Sequence, residues 1–89
     1  MIKIFKYELT NRKTELKLPI GAEILTASIE NDRFVLWAKI DTSAYTEIRH
    51  FYVIFTGEEI PYIMGVEHKY MTTAYIDSGL VLHLFEVIG

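Results

Sequence analysis

The amino-acid sequence predicts an all-β fold, a single antiparallel sandwich or open barrel of about six to seven strands. Three observations carry this. Apolar and polar residues alternate with a period of two along much of the chain, as a half-buried sheet requires. The alternating runs are short and are punctuated by clusters of Gly, Pro, Asn, Asp and Ser. With 89 residues there is room for one domain, residues 1–89, and no linker, internal repeat or low-complexity stretch divides it.

The first strand spans residues 2–9, with Phe5, Tyr7 and Leu9 on one face and Lys6 and Glu8 on the other. Thr10-Asn11-Arg12-Lys13 is polar and reads as a hairpin turn. Residues 14–18 return as a second strand, Leu16 and Leu18 inward, Glu15 and Lys17 outward. Pro19-Ile20-Gly21 breaks it, because Pro has no donor and Gly accepts a positive φ. The third strand, residues 23–30, puts Leu25, Ala27 and Ile29 on one face and Thr26, Ser28 and Glu30 on the other. Asn31-Asp32 predicts a tight hairpin into the fourth strand, residues 33–40. There Phe34, Leu36, Ala38 and Ile40 share one face, and Arg33, Val35, Trp37 and Lys39 the other.

After a polar loop, residues 41–46, the fifth strand runs over 47–56 and is apolar on both faces. A long connection follows, residues 57–69, with two Gly, one Pro and room for one short helical turn. Connections of this length without regular structure are uncommon in compact domains and are often functional. The sixth strand covers 70–77, Ser78-Gly79 is a turn, and residues 80–88 form a last strand with two apolar faces. Such a strand belongs at a sheet centre or against another chain.

Composition narrows the function classes. There is no Cys, which excludes zinc-thiolate sites and disulfide scaffolds. No uncharged stretch reaches the length of a membrane span, and the lysines of the first seven residues lie inside the apolar run, unlike a signal peptide. The expectation is a cytoplasmic protein with no membrane partner. Twelve acidic and nine basic residues give a net charge of −3, which disfavours a long nucleic acid. Hydrophobic residues make up 51% and aromatic ones 13%, more than one small core needs. That surplus, with Trp37, Tyr45, Tyr52, Tyr62 and Tyr75 as exposed candidates, predicts a homo-oligomer.

The chemistry-bearing residues are sparse. His50, His68 and His83 lie on different segments without metal-ligand spacing. His83 alternates with Val81 and Phe85 and reads as a hydrogen-bonded core or interface residue. No carboxylate is marked as a buried acid or base, no serine sits in a nucleophile elbow, and no phosphate-binding glycine loop is present. The chain therefore reads as a non-enzyme, with no cofactor or metal assigned. Arg49-His50 and His68-Lys69 are two basic pairs able to converge on an anion, or else to stand apart as solvated groups. Arg33-x-Val35-x-Trp37-x-Lys39 sets two cations and an indole on one face, which suits a small nucleotide. The expected ligand-binding set is Arg49, Lys69, His68 and His50 for phosphates, with Tyr70, Tyr62 or Trp37 as the plate for a base.

Several local patterns, taken in order, carry a resemblance: Ile4-Phe5-Lys6-Tyr7, Pro19-x-Gly21-Ala22-x-Ile24-Leu25, Leu36-Trp37-Ala38, Thr56-Gly57 followed by Ile60-Pro61, Tyr70, and Gly79-Leu80-Val81-x-His83-x-Phe85-Glu86. Together they resemble a family of short phage-encoded β proteins without an assigned function. The resemblance spans nearly the whole chain and implies a viral origin and expression in the bacterial host cytoplasm. It supplies no catalytic or binding residues. The chain departs from the pattern after Ile60-Pro61, where Tyr62-Ile63-Met64 replaces an expected polar turn. Small phage accessory proteins often counter host defence, so the resemblance implies an oligomer that sequesters a cyclic-nucleotide immune signal. The alternatives are an inhibitor that blocks a host defence protein, with the loop from Ile60 to Val66 inserted in its groove, and a minor structural virion protein.

Overall fold

The computed structural model describes residues 1–89, and they form seven strands without a helix: β1 (Ile2–Glu8), β2 (Lys13–Pro19), β3 (Glu23–Glu30), β4 (Arg33–Asp41), β5 (Thr46–Phe55), β6 (Glu67–Tyr75) and β7 (Val81–Ile88). Two antiparallel sheets stack as a sandwich, one ordered β1-β4-β3 and the other β2-β5-β7-β6. β3 lies over β6 and β2 over β4. The apolar alternation explains the stacking. Leu36, Ala38 and Ile40 of β4 face Phe51 and Val53 of β5 and Leu82 and Leu84 of β7, and all are buried in one core. Phe51, Leu18, Leu36 and Leu84 are the largest fully buried side chains. β5 and β7 are the two central strands of their sheet, which accounts for their apolar character on both faces.

Two turns follow from backbone chemistry. Asn31 and Asp32 have φ of 52° and 61°, the paired left-handed conformation of a type I′ hairpin turn, and they join β3 to β4. Gly21 has φ of 81° in the turn where the Ala22 N–H donates to the Pro19 carbonyl, which a side chain would strain.

The structure corrects four expectations. Thr10 to Lys13 is not a hairpin turn: β1 pairs with β4 and β2 with β5, so the chain crosses between sheets here. Polar turn chemistry permits a hairpin without requiring one, and Leu9, buried with its N–H on the Phe34 carbonyl, carries the chain into the core instead. In β3 a bulge between Ile24 and Thr26 exchanges the faces. Ile24 packs on the core, and Leu25 is 45% exposed. β6 starts at Glu67, so His68 and Lys69 are strand residues.

The fourth correction concerns the long connection, which is residues 56–66 and contains no helical turn. β5 and β6 both pair antiparallel with β7 and so run parallel to each other. Two parallel strands need a long crossover rather than a tight turn. The connection runs back along the outer face of the four-stranded sheet, where Pro61 and Ile63 meet His50, Tyr52, His68 and Val87. Its first turn is clamped by Glu58, whose carboxylate accepts from the Phe55 N–H at 2.7 Å and pairs with Arg12. These two contacts, the amide first, hold the Glu58 carboxyl below its ordinary pKa. Topology thus explains the length of this segment.

Candidate functional site

One cleft gathers several of the charged residues. It lies at one flank of the sandwich, between the edge strands β3 and β6, with a volume of 530 Å³. The turn and first half of β3, from Gly21 to Ala27, form one wall, and Lys69 to Thr72 of β6 form the other. Arg49 and Glu86 close its floor. Both walls are bulged, at Leu25 and at Met71, where the β6 register shifts between Tyr70 and Thr72. Bulges re-aim side chains and stop further strand pairing, so the cleft stays open between two edges.

Alternation sets the floor. In β7, Leu82, Leu84 and Glu86 occupy successive inward positions, which drives a carboxylate into the core layer, where Glu86 is only 7% exposed. Arg49 answers it with a two-pronged ion pair, Nε to Oε2 at 2.6 Å and Nη2 to Oε1 at 2.8 Å. Its Nη1 donates to the Ala22 carbonyl at 2.7 Å, tying the four-stranded sheet to the start of β3. The Glu86 carboxylate raises the Arg49 pKa further against the opposing effect of burial, so the guanidinium is permanently charged. One proton on each Nη remains uncommitted in this geometry. Lys69 stands directly opposite Glu86 in the β6–β7 register and forms no ion pair of its own. Glu23, the other carboxylate on the walls, is bound to Lys39 at 3.2 Å. The lining is therefore balanced, two cations against two carboxylates, and Lys69 is the one of the four without an ion pair.

Tyr70 borders the same cleft, with its ring edge-on to Phe85 at 5.8 Å and its hydroxyl 2.7 Å from Thr73 Oγ1. Thr73 Oγ1 is in turn 2.9 Å from His83 Nδ1, and His83 Nε2 is 2.7 Å from Thr56 Oγ1. His83 is thus a hydrogen-bonded sheet residue with both ring nitrogens engaged.

Of the residues singled out from the sequence, Arg49 and Lys69 come together in this cleft; Tyr70 borders it, but its ring lies on the outer face against Phe85. His50 and His68 do not join them. They line a separate pocket of 310 Å³ on the outer face, under Pro61 and Ile63. His50 Nδ1 there is 3.9 Å from Glu15, and His68 is edge-on to Phe85 at 6.4 Å. Trp37 is on the other sheet, with Lys6 Nζ 5.5 Å from its ring centre. Tyr62 projects from the crossover, almost fully exposed. Glu86 and the Ala22 carbonyl were missed by sequence reasoning. An acidic residue at an inward position of a doubly apolar strand was the available signal, because a buried carboxylate requires a buried cation.

The whole chain, residues 1–89, matches a family described as Domain of unknown function (DUF7352). No curated protein matches the chain, and no solved structure does.

Proposed function

We propose that this chain, which belongs to the DUF7352 family, is a non-enzymatic binding protein that takes a small anionic ligand into the cleft between β3 and β6. The observation that carries this reading is the unpaired cation of Lys69 beside a rigid, permanently charged Arg49. Glu86 and the Ala22 carbonyl hold Arg49 in place before any ligand arrives, so little is lost in ordering it. The volume suits a small molecule, since such sites span roughly 300–1,000 Å³. The ligand we propose is a nucleotide. Its phosphate would meet Lys69 and the two uncommitted Arg49 protons. The setting we propose is a phage accessory protein, homo-oligomeric in the host cytoplasm, that withdraws a nucleotide immune signal. Support for the setting is the resemblance of its short motifs.

An amide NMR titration with inorganic phosphate, AMP and a panel of cyclic nucleotides tests the site. The expected shifts fall on Gly21, Ala22, Lys69 and Tyr70 and vanish in Lys69→Ala. Shifts confined to His50 and His68, or none with any panel member, would refute the assignment.

A second reading has one observation in its favour. Tyr62 and Met64 stand almost fully exposed at the crest of the crossover, beside Ile60 and Ile63. Aromatic and methionine side chains of this kind anchor protein interfaces. If the protein blocks a host partner, Tyr62→Ala abolishes its capture while nucleotide binding is absent.

A further inference from the structure

The sandwich has four edge strands, β1 and β3 in one sheet and β2 and β6 in the other. Three carry devices that stop another strand from pairing with them. β3 and β6 are bulged. β2 ends in Pro19 and presents Lys13, Glu15 and Lys17 in alternation on its outer face. β1 has neither a bulge nor a proline, Lys3 is its one charge without an ion pair, and its register with β4 is unbroken over Ile2–Glu8. β2 packs against β4, and Phe5 on the inner face of β1 is 43% exposed, so β1 overhangs the second sheet. Its outer face adds Ile2 at 63% and Ile4 at 60% exposure.

The parity of the ladder fixes which backbone groups point outward. Thr42 N–H donates to the Met1 carbonyl and Leu9 N–H to the Phe34 carbonyl, so the odd-numbered residues of this strand bond to β4. Ile2, Ile4, Lys6 and Glu8 therefore direct their N–H and C=O groups to the free edge. The two charges among them are drawn away from that edge. Lys6 reaches across Trp37 to Glu30 at 3.0 Å, and Glu8 binds Arg33 at 2.8 Å.

We propose that β1 is the interface for a second copy of this chain, paired antiparallel about a two-fold axis at Phe5. In that register Ile2 faces the partner's Glu8 and Ile4 faces the partner's Lys6. Every one of these is an outward-directed residue, so each pair exchanges two hydrogen bonds. Phe5 meets the partner's Phe5 in the closer, non-bonded position, and Lys3 meets the partner's Tyr7. No like charges stand directly opposite. The two three-stranded sheets become one continuous six-stranded sheet, and the exposed Ile2, Ile4 and Phe5 each gain a cross-strand neighbour. β1 and β3 are opposite edges of their sheet, so the dimer leaves the β3–β6 cleft open and stands or falls separately from the ligand reading.

Residue-resolved amide hydrogen exchange, alongside sedimentation of the full chain, tests this. The expected result is a dimer in which Ile4, Lys6 and Glu8 amides are protected as well as those of Lys3, Phe5 and Tyr7. Ile4→Pro removes an outward N–H without touching a bond to β4. It should weaken dimerisation about 30-fold, the effect of two lost hydrogen bonds, and free the even-numbered amides. Phe5→Lys, which sets like charges at the two-fold axis, is the second variant should Ile4→Pro fail to fold, and it should give monomer. A monomeric wild type at millimolar concentration, or a dimer whose Ile4, Lys6 and Glu8 amides exchange freely, would overturn the proposal.

Discussion

The outer face of the three-stranded sheet and the floor of the cleft both hold ion pairs at short distance, and burial separates them. On the outer face Lys6–Glu30, Arg33–Glu8 and Lys39–Glu23 lie at 2.8 to 3.2 Å with their side chains half in water. At the floor Arg49–Glu86 lies at 2.6 Å in the core layer. The first group is screened and costs little to break. The second is largely shielded, with Glu86 buried and Arg49 mostly so, and each charge depends on the other. Similar distances therefore mean register and solubility on one face and a fixed structural requirement on the other. A rigid cation beside the unpaired Lys69 follows from the second case.

The largest expected effect breaks the buried pair. Glu86→Ala leaves Arg49 without its counter-charge and should cost about 3–5 kcal/mol in denaturant unfolding. The double variant Arg49→Met with Glu86→Leu removes both charges and should lie within about 1 kcal/mol of wild type. A double variant as unstable as Glu86→Ala would mean that the pair's hydrogen bonds, above all that to Ala22, matter more than its charges.

Next comes the outer face. Lys39→Ala should cost at most about 1 kcal/mol, and less in high salt. A salt-independent loss of several kcal/mol would erase the distinction between the two regions. Lys69→Ala should change stability by no more than about 0.5 kcal/mol, as expected of a surface change without a packing role.

The smallest effect concerns pH at the margin of the outer face. The Ser43 hydroxyl and N–H and then the amino terminus lower the Asp41 pKa from 3.8 to about 2. The folded value lies below the unfolded one, so the contribution of this carboxylate is complete above about pH 4 and is lost as pH falls through its folded pKa. An NMR titration of the Asp41 carboxyl should show the low midpoint in wild type and a higher one in Ser43→Ala.

Much of the fold was legible because alternation reports burial directly. It placed all seven strands, the inward Leu18, the Phe34, Leu36, Ala38 and Ile40 face of β4, and the Asn31-Asp32 hairpin. Pairing partners were not legible. A polar Thr10–Lys13 segment fits a hairpin and a sheet crossing equally, and only the long-range register decides. Bulges also escape a period of two, which is why Leu25 was assigned to the wrong face. In the site, adjacency of cations and aromatics was visible, but adjacent strand residues face opposite ways. Arg49 and Lys69 consequently turn inward to the cleft, while His50 and His68 turn outward.

The claim that the β3–β6 cleft holds an anionic ligand is tested most directly by native mass spectrometry of wild type and Lys69→Ala with a panel of cyclic nucleotides. The account predicts that wild type retains one nucleotide mass in fixed ratio to its subunits and that Lys69→Ala, equally folded, loses it. Retention of no panel member by wild type, or equal retention by both proteins, would contradict it.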